Sequence, residues 1–113
     1  MKDVWKEIQY KGKTYRAVFN LNTMERFQEE YGSIQAWGEL VQAEECNIKA
    51  LIFGFTEMIN EGIDIQNDEN GTKEAFLTTK QVGRMISELG FTTVAKDVNQ
   101  LVVDSTKSEE KNE

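Results

Sequence analysis

Apolar residues recur with helical spacing in the middle of the chain, between Asn47 and Gly62. They occupy the i, i+3, i+4, i+7 and i+11 positions of one stripe, which consists of Ile48, Leu51, Ile52, Phe55 and Ile59. This spacing is typical of a helix that faces a core. Asn47 has a side chain suited to an N-cap, and Gly62 can adopt the left-handed conformation that ends many helices. The sequence therefore predicts a central helix over residues 48–61.

The same helix is apolar on a second side, because Ala50, Phe53 and Gly54 lie roughly opposite the main stripe. A helix at the rim of a small domain has no need of a second apolar side. Either another layer of this chain covers it, with the final helix packed on Phe53, or another molecule does. Glycine costs about 1 kcal/mol relative to alanine inside a helix, so Gly54 and Gly83 indicate close approach of a neighbouring helix or of a partner.

Alternating apolar residues before position 20 predict a β-hairpin with Lys11 and Gly12 in a two-residue turn. The register pairs Val4 with Phe19, Lys6 with Ala17, Ile8 with Tyr15, and Tyr10 with Lys13. One face of the hairpin is then apolar and should pack on helices. On the other face Trp5 lies opposite Val18, and this apolar pair is either a partly covered edge or part of a contact surface.

Capping residues predict four further helices. These are residues 23–31 after Asn22, 34–41 after Ser33, 79–89 after Thr78, and a last helix to about Asp104 after Thr92 or Thr93. Asn22 with Glu25, and Thr78 with Gln81, have the spacing of capping boxes. Residues 105–113 contain no apolar side chain and are predicted to be a disordered polar tail. The predicted fold is a single α+β domain over residues 1–104, in which an N-terminal antiparallel β-hairpin packs on about five short helices.

Charge and composition exclude several classes of function. The formal net charge is −7, and such a surface repels phosphate backbones and anionic lipids, so neither nucleic acid nor membrane is an expected partner. No secretory signal or bilayer-spanning stretch is present, which favours a cytosolic protein. Histidine is absent and Cys46 is the single cysteine, so the usual general base and any intrachain disulfide are missing.

Motifs that could carry chemistry were tested individually and rejected. If Gly71 were the sixth residue of a calcium loop, Gln66 would stand where Asp belongs and Leu77 where Glu belongs. The last two predicted helices resemble a helix-turn-helix in spacing, but the second of them offers Lys96 as its one cation. The glycines form no phosphate-binding pattern. We therefore expect no catalytic residue, no cofactor and no metal site, and the protein is not predicted to be an enzyme.

Three short motifs remain. A Gly-Lys-x-Tyr turn lies within residues 11–15, an acidic and aromatic helix end followed by glycine lies within 21–33, and Leu-Thr-x-x-x-Val-Gly-x-x-Ile spans 77–86. With the apolar helix between them, this order over residues 8–103 resembles the tail assembly chaperones of long-tailed bacteriophages and related gene-transfer particles. The resemblance points to phages of Gram-positive hosts.

The resemblance implies a function without catalysis: binding and solubilising the tape measure protein, and helping to recruit tail tube subunits. It also implies a location in the host cytoplasm and absence from the mature virion. Many such families make a longer product by ribosomal frameshifting, and the short polar tail is typical of the shorter one. Residues 1–16 carry five lysines and arginines against two acids, whereas residues 17–113 carry eight against eighteen. Head-to-tail packing into a homo-oligomer is therefore a further option.

The candidate protein-binding residues are Phe53 with Ala50 on the central helix, and Trp5 with Val18 on the hairpin. Two alternative functions stay open. One is a small acidic regulatory protein of phage origin that inhibits its target by mimicking DNA, which requires carboxylates in ordered rows. The other is a minor structural component of the tail.

Overall fold

A computed structural model describes residues 4–111 of the chain, with side chains described for residues 4–106. This part contains two strands and five helices in the order β1 (Val4–Tyr10), β2 (Lys13–Phe19), α1 (Leu21–Tyr31), α2 (Ile34–Gln42), α3 (Ile48–Asn70), α4 (Thr79–Leu89) and α5 (Phe91–Lys111). The predicted α+β fold class is confirmed, because the hairpin packs on a set of helices. Among the described helices, none is long and apolar enough to cross a bilayer.

The hairpin has the predicted register, from Val4 opposite Phe19 to Tyr10 opposite Lys13. Lys11 and Gly12 form its turn, with φ angles of 49° and 75°, which are those of the turn type that matches strand twist. The apolar face lies on the helices, and Ile8, Ala17 and Phe19 are all buried there. Alternation along the strands therefore fixed both the pairing and the side that meets the core.

The central helix α3 is longer than predicted, because Gly62 lies inside it and not at its end. A Cβ atom on Gly62 would come within 1.7 Å of the carbonyl oxygen of Arg16 in β2. The glycine is therefore used for contact between the helix and a strand backbone. The helix ends at Gly71, which has a left-handed backbone with φ of 66° and donates its N–H to the carbonyl of Asn67. The predicted end at Glu61 was wrong.

The second apolar side of α3 is covered by another layer of the same chain. The Trp37 ring of α2 lies over Gly54, where a Cβ atom would come within 2.4 Å of it. The indole nitrogen of Trp37 also donates a hydrogen bond of 2.9 Å to the carbonyl of Ala50. The absence of a side chain at Gly54 thus lets a large aromatic ring lie directly on the helix backbone. As a result, α3 packs against β2 and against each of the other four helices.

Several helix caps are confirmed and one is corrected. Ser33 and Asn47 accept the expected backbone N–H groups, and Thr78 forms the expected capping box with Gln81. For α1 the N-cap is Asn20, whose side chain accepts the N–H groups of Asn22 and Thr23. The prediction of Asn22 was wrong. The residue with the extended backbone that an N-cap requires is Asn20, directly after β2, so the helix begins two residues earlier than predicted.

The last helix differs from the prediction at both ends. It begins at Phe91, directly after Gly90, without Thr92 or Thr93 as a preceding cap, and it continues to Lys111. Ser105, the first residue of the predicted disordered tail, is fully buried in helical conformation. Packing of this small residue against the body of the protein explains why a polar sequence continues the helix. Residues 112 and 113 lie outside the described part of the chain.

The role of Gly62 can be tested by substitution with alanine. Gly62→Ala should lower the free energy of unfolding by about 3 kcal/mol or more, because the new methyl group would overlap a strand carbonyl that has little room to move. Gly83→Ala is the matched control: its Cβ atom would meet Ile52 at an ordinary 3.6 Å, so it should gain up to about 1 kcal/mol of helix propensity. Urea denaturation measures both values, and equal effects of the two substitutions would contradict the assignment.

Candidate protein-binding groove

An open apolar groove runs along the N-terminal half of α3. It consists of two adjoining cavities, of about 660 Å³ and about 400 Å³, which share Ile48 and Ile52. The end of α1 forms one wall, α4 forms the other, and the start of α5 closes one end. We call this surface the α3 groove and define it by Tyr31, Ile48, Ile52, Phe53, Gly83 and Phe91.

The groove is apolar because it exposes residues that the fold leaves uncovered. Ile48 and Phe91 retain 46% and 50% of their accessible surface. Both stand at the first position of a helix, α3 and α5 respectively, beyond the part that neighbouring helices cover. Ile52 is half-buried, and Gly83 opposite it contributes no side chain. An exposed apolar groove between helices is the kind of surface that an amphipathic helix can occupy.

Phe53 forms the boundary between the groove and the core. Its ring centre lies 5.7 Å from that of Phe27 and 5.4 Å from that of Tyr31, and the Arg26 guanidinium lies 5.9 Å from it. All three of these neighbours belong to α1. The expectation that the final helix packs on Phe53 is therefore replaced by packing from α1, which leaves the ring half-buried.

Tyr31 contributes a neutral side chain to the α1 wall of the groove. Burial raises the pKa of its phenol, and the neighbouring Glu30 raises it further. A phenol is protonated at neutral pH even without this shift, and the ring offers an apolar body with a polar tip. Such a side chain suits a surface that is wet when free and covered when a partner binds.

The other predicted binding residues are distributed differently. Ala50 is fully buried under α2, and Val18 retains 1% of its surface, so neither presents a face to a partner. Trp5 is 54% exposed, and the guanidinium of Arg16 lies 5.0 Å from its ring centre. Trp5 does not line the groove. Of the four candidates, Phe53 alone belongs to the α3 groove.

Sequence reasoning missed Ile48, Ile52 and Phe91 as groove residues. The first two lie on the stripe that predicted the core, and other members of that stripe, Leu51 and Phe55, are indeed buried. The sequence does contain a signal for Ile48 and Ile52. The start of the helix is apolar on more sides than its short neighbouring helices can cover. Phe91 follows a helix-ending glycine directly, a place where a large apolar residue has few neighbours.

Two lysines and one glutamate border the groove. Lys49 lies in the first turn of α3, Lys80 in the first turn of α4, and Glu30 near the end of α1. All three side chains are exposed. The ion pairs within the described residues involve Lys6, Lys13, Arg16 and Arg26, and neither of the groove lysines.

The acidic residues on the second half of α3 form a row, because the helix continues past Gly62. The row consists of Glu57, Glu61, Asp64 and Asp68, spaced by four, three and four residues. Two of its members make contacts within the chain. Glu57 pairs with Arg26 at 3.2 Å, and Glu61 accepts hydrogen bonds of 2.7 Å and 3.0 Å from Asn20 and Asn22. Half of the row is therefore committed to holding α1 against α3.

Candidate chemical groups are sparse in the described part of the chain. No group of three or more histidine, cysteine, aspartate or glutamate residues could hold a metal ion there. Cys46 is half-buried in the loop before α3, and desolvation raises the pKa of its thiol. A raised pKa lowers the thiolate fraction at neutral pH, which is the reverse of what a nucleophilic cysteine requires.

Comparisons with known proteins give no match to a family model, a curated protein or a solved structure. The fold and the groove define this chain as a small α+β domain with an apolar groove along α3.

The environment of Cys46 leads to a prediction about its reactivity. Because burial raises its pKa, iodoacetamide at pH 8 should alkylate Cys46 more slowly than it alkylates free glutathione. Mass spectrometry of quenched samples gives the rate, and the unfolded protein in urea provides the control, in which the rate should return to that of glutathione. Alkylation faster than glutathione in the folded protein would indicate an activated thiol.

Proposed function

We propose that this protein is a phage tail assembly chaperone, which binds and solubilises the tape measure protein and helps to recruit tail tube subunits without catalysis. The α3 groove is the observation that carries the proposal. A tape measure protein presents long helices with apolar stripes, and an amphipathic helix in an apolar groove is a common mode of recognition. We infer that the protein acts in the host cytoplasm and is absent from the mature virion.

The position of the resemblance motifs supports this proposal. The motif within residues 21–33 forms α1, and the motif over residues 77–86 forms the first part of α4. These two helices are the walls of the groove. Two of the three motifs that resemble the chaperone family therefore border the surface that would bind the client, whereas the third, within residues 11–15, lies in the hairpin outside the groove.

The charge of the protein suits the same role. Covering the exposed halves of Ile48 and Phe91 would contribute about 1 kcal/mol each, which favours association with an aggregation-prone helix. The net charge of −7 would then give the complex a repulsive surface and keep it in solution. A chaperone needs both properties, since it must bind an apolar client and prevent further association.

The DNA-mimic alternative receives less support. Its requirement, a regular row of carboxylates, is met in spacing by the acidic row of α3. Glu57 and Glu61, however, are engaged by side chains of their own chain. A mimic of phosphates needs its charges free for a basic partner. The other alternative, a minor tail component, would place the protein in purified particles, where mass spectrometry would detect it.

The proposal is tested by placing charge in the groove without disturbing the fold. Ile48→Asp with Phe91→Asp changes two exposed residues, each at the first position of a helix, where aspartate is favourable. The control is Leu21→Asp with Phe76→Asp, two residues 64% and 55% exposed that lie outside the groove. The control adds the same charge, and Leu21 also begins a helix.

Each variant would be co-expressed with the tape measure protein encoded beside it, and soluble client measured by sedimentation and immunoblot. The groove variant should lose most of the soluble client, in line with an affinity at least about tenfold weaker, while the control should retain it. Circular dichroism confirms that both variants are folded. Equal client solubility with the groove variant and the wild type would contradict the proposed function.

A further inference from the structure

We propose that the α3 groove selects an amphipathic helix whose apolar stripe is bordered by carboxylates, through Lys49 and Lys80. This inference deepens the proposed function and rests on the groove being the binding surface. It concerns the chemistry of the bound segment, which neither the motifs nor the fold class specifies.

The sign of the charge around the groove is opposite to that of the chain as a whole. Residues 17–113 carry eight basic side chains against eighteen acidic ones, yet the charged residues that line the larger cavity are Lys49, Lys80 and Glu30. Two cations and one anion therefore border an apolar surface in a strongly acidic part of the chain. A partner with carboxylates beside its apolar stripe would complement this border, whereas a basic partner would be repelled by it.

The two lysines are free to make that contact. Both are exposed, and none of the ion pairs among the described side chains uses them. Lys6, Lys13, Arg16 and Arg26 are paired with carboxylates elsewhere in the chain, whereas Lys11, Lys73, Arg84 and Lys96 resemble the groove lysines in taking part in none of these ion pairs. The groove lysines are thus cations with no internal task, placed at the edge of the apolar surface.

Glu30 makes the two walls of the groove differ in charge, which determines the orientation expected of a bound helix. It belongs to the α1 wall, opposite Lys80 on the α4 wall. A bound helix would therefore place its carboxylates toward α4 and would tolerate a basic residue toward α1. Lys49 at the start of α3 adds a second cation to the border of the groove.

Gly83 indicates where the partner comes closest. Gly54 and Gly62 are required by contacts within the chain, but a Cβ atom at Gly83 would find only Ile52, at an ordinary 3.6 Å. A glycine inside a helix costs about 1 kcal/mol relative to alanine, and no contact of Gly83 with the described residues offsets that cost. Its absent side chain instead leaves the α4 wall of the smaller cavity open beside Ile52, where a side chain of a bound helix would fit.

The test uses two synthetic 16-residue helical peptides with the same leucine and alanine stripe. One carries glutamates along one border of the stripe, and the other carries lysines at the same positions. Affinity for the full chain would be measured by fluorescence anisotropy at about 0.15 M salt. The overall charge of −7 favours the lysine peptide through long-range attraction. The inference predicts the opposite, with the glutamate peptide binding about tenfold more tightly.

Reversing the charge of the two groove lysines tests whether they cause the preference for the glutamate peptide. Lys49→Glu with Lys80→Glu should reverse the preference in favour of the lysine peptide. The matched control, Lys73→Glu with Lys96→Glu, makes the same change in net charge at exposed positions that do not line the groove. It should keep the preference for the glutamate peptide. Reversal by both double substitutions would mean that overall charge decides, and would overturn the inference.

Gly83→Leu tests the place of binding without altering charge. Leucine has a higher helix propensity than glycine, so the variant should fold. Its side chain would fill the smaller cavity of the groove beside Ile52 and weaken the binding of both peptides at least about tenfold. Undiminished binding would place the peptides elsewhere and overturn the inference. So would a wild-type protein that binds neither peptide or prefers the lysine peptide. These failures are distinct from that of the proposed function, which depends on the solubility of the natural client.

Discussion

The fold depends on two points at which other parts of the chain lie directly on the backbone of α3. The ring of Trp37 lies over Gly54, and the carbonyl of Arg16 lies against Gly62. A single methyl group at either position would overlap its neighbour. Because the indole of Trp37 also donates to the carbonyl of Ala50, the first contact is fixed in direction as well as in distance. Helix α3 thereby supports both α2 and the hairpin.

The groove follows from this arrangement. The small residues of α3 contact α2 and β2, whereas α1, α4 and the start of α5 border the groove near the N-terminus of α3. Asn60 holds Leu77, two residues before α4, in place: its side chain accepts from the N–H of Leu77 at 2.8 Å and donates to the carbonyl of Leu77 at 2.9 Å. This clamp sets where α4 begins along α3. Ile48 and Ile52 are left open, and the same helix that organises the core also provides the apolar surface.

Local signals in the sequence predicted what local physics decides. Alternation set the register of the hairpin, and the hydroxyl and amide side chains of Ser33, Asn47 and Thr78 marked helix starts, because each acts on atoms within a few residues. The role of Gly62 was predicted wrongly, because the sequence does not distinguish a glycine that ends a helix from one that lets a strand backbone pack against the helix. The groove could not be predicted for a related reason: periodicity identifies an apolar face, but the lengths and positions of distant helices determine whether that face is covered.

The central claim is that a partner occupies the α3 groove, on the side of the N-terminal half of α3 that the rest of the chain leaves uncovered. Methyl NMR of isoleucine-labelled protein tests it most directly, by titration with a soluble fragment of the tape measure protein. Our account predicts that the signals of Ile48 and Ile52 shift or broaden on binding, while that of Ile34 on α2, outside the groove, stays unchanged. Binding that shifts Ile34 and leaves the two groove isoleucines unchanged would contradict it.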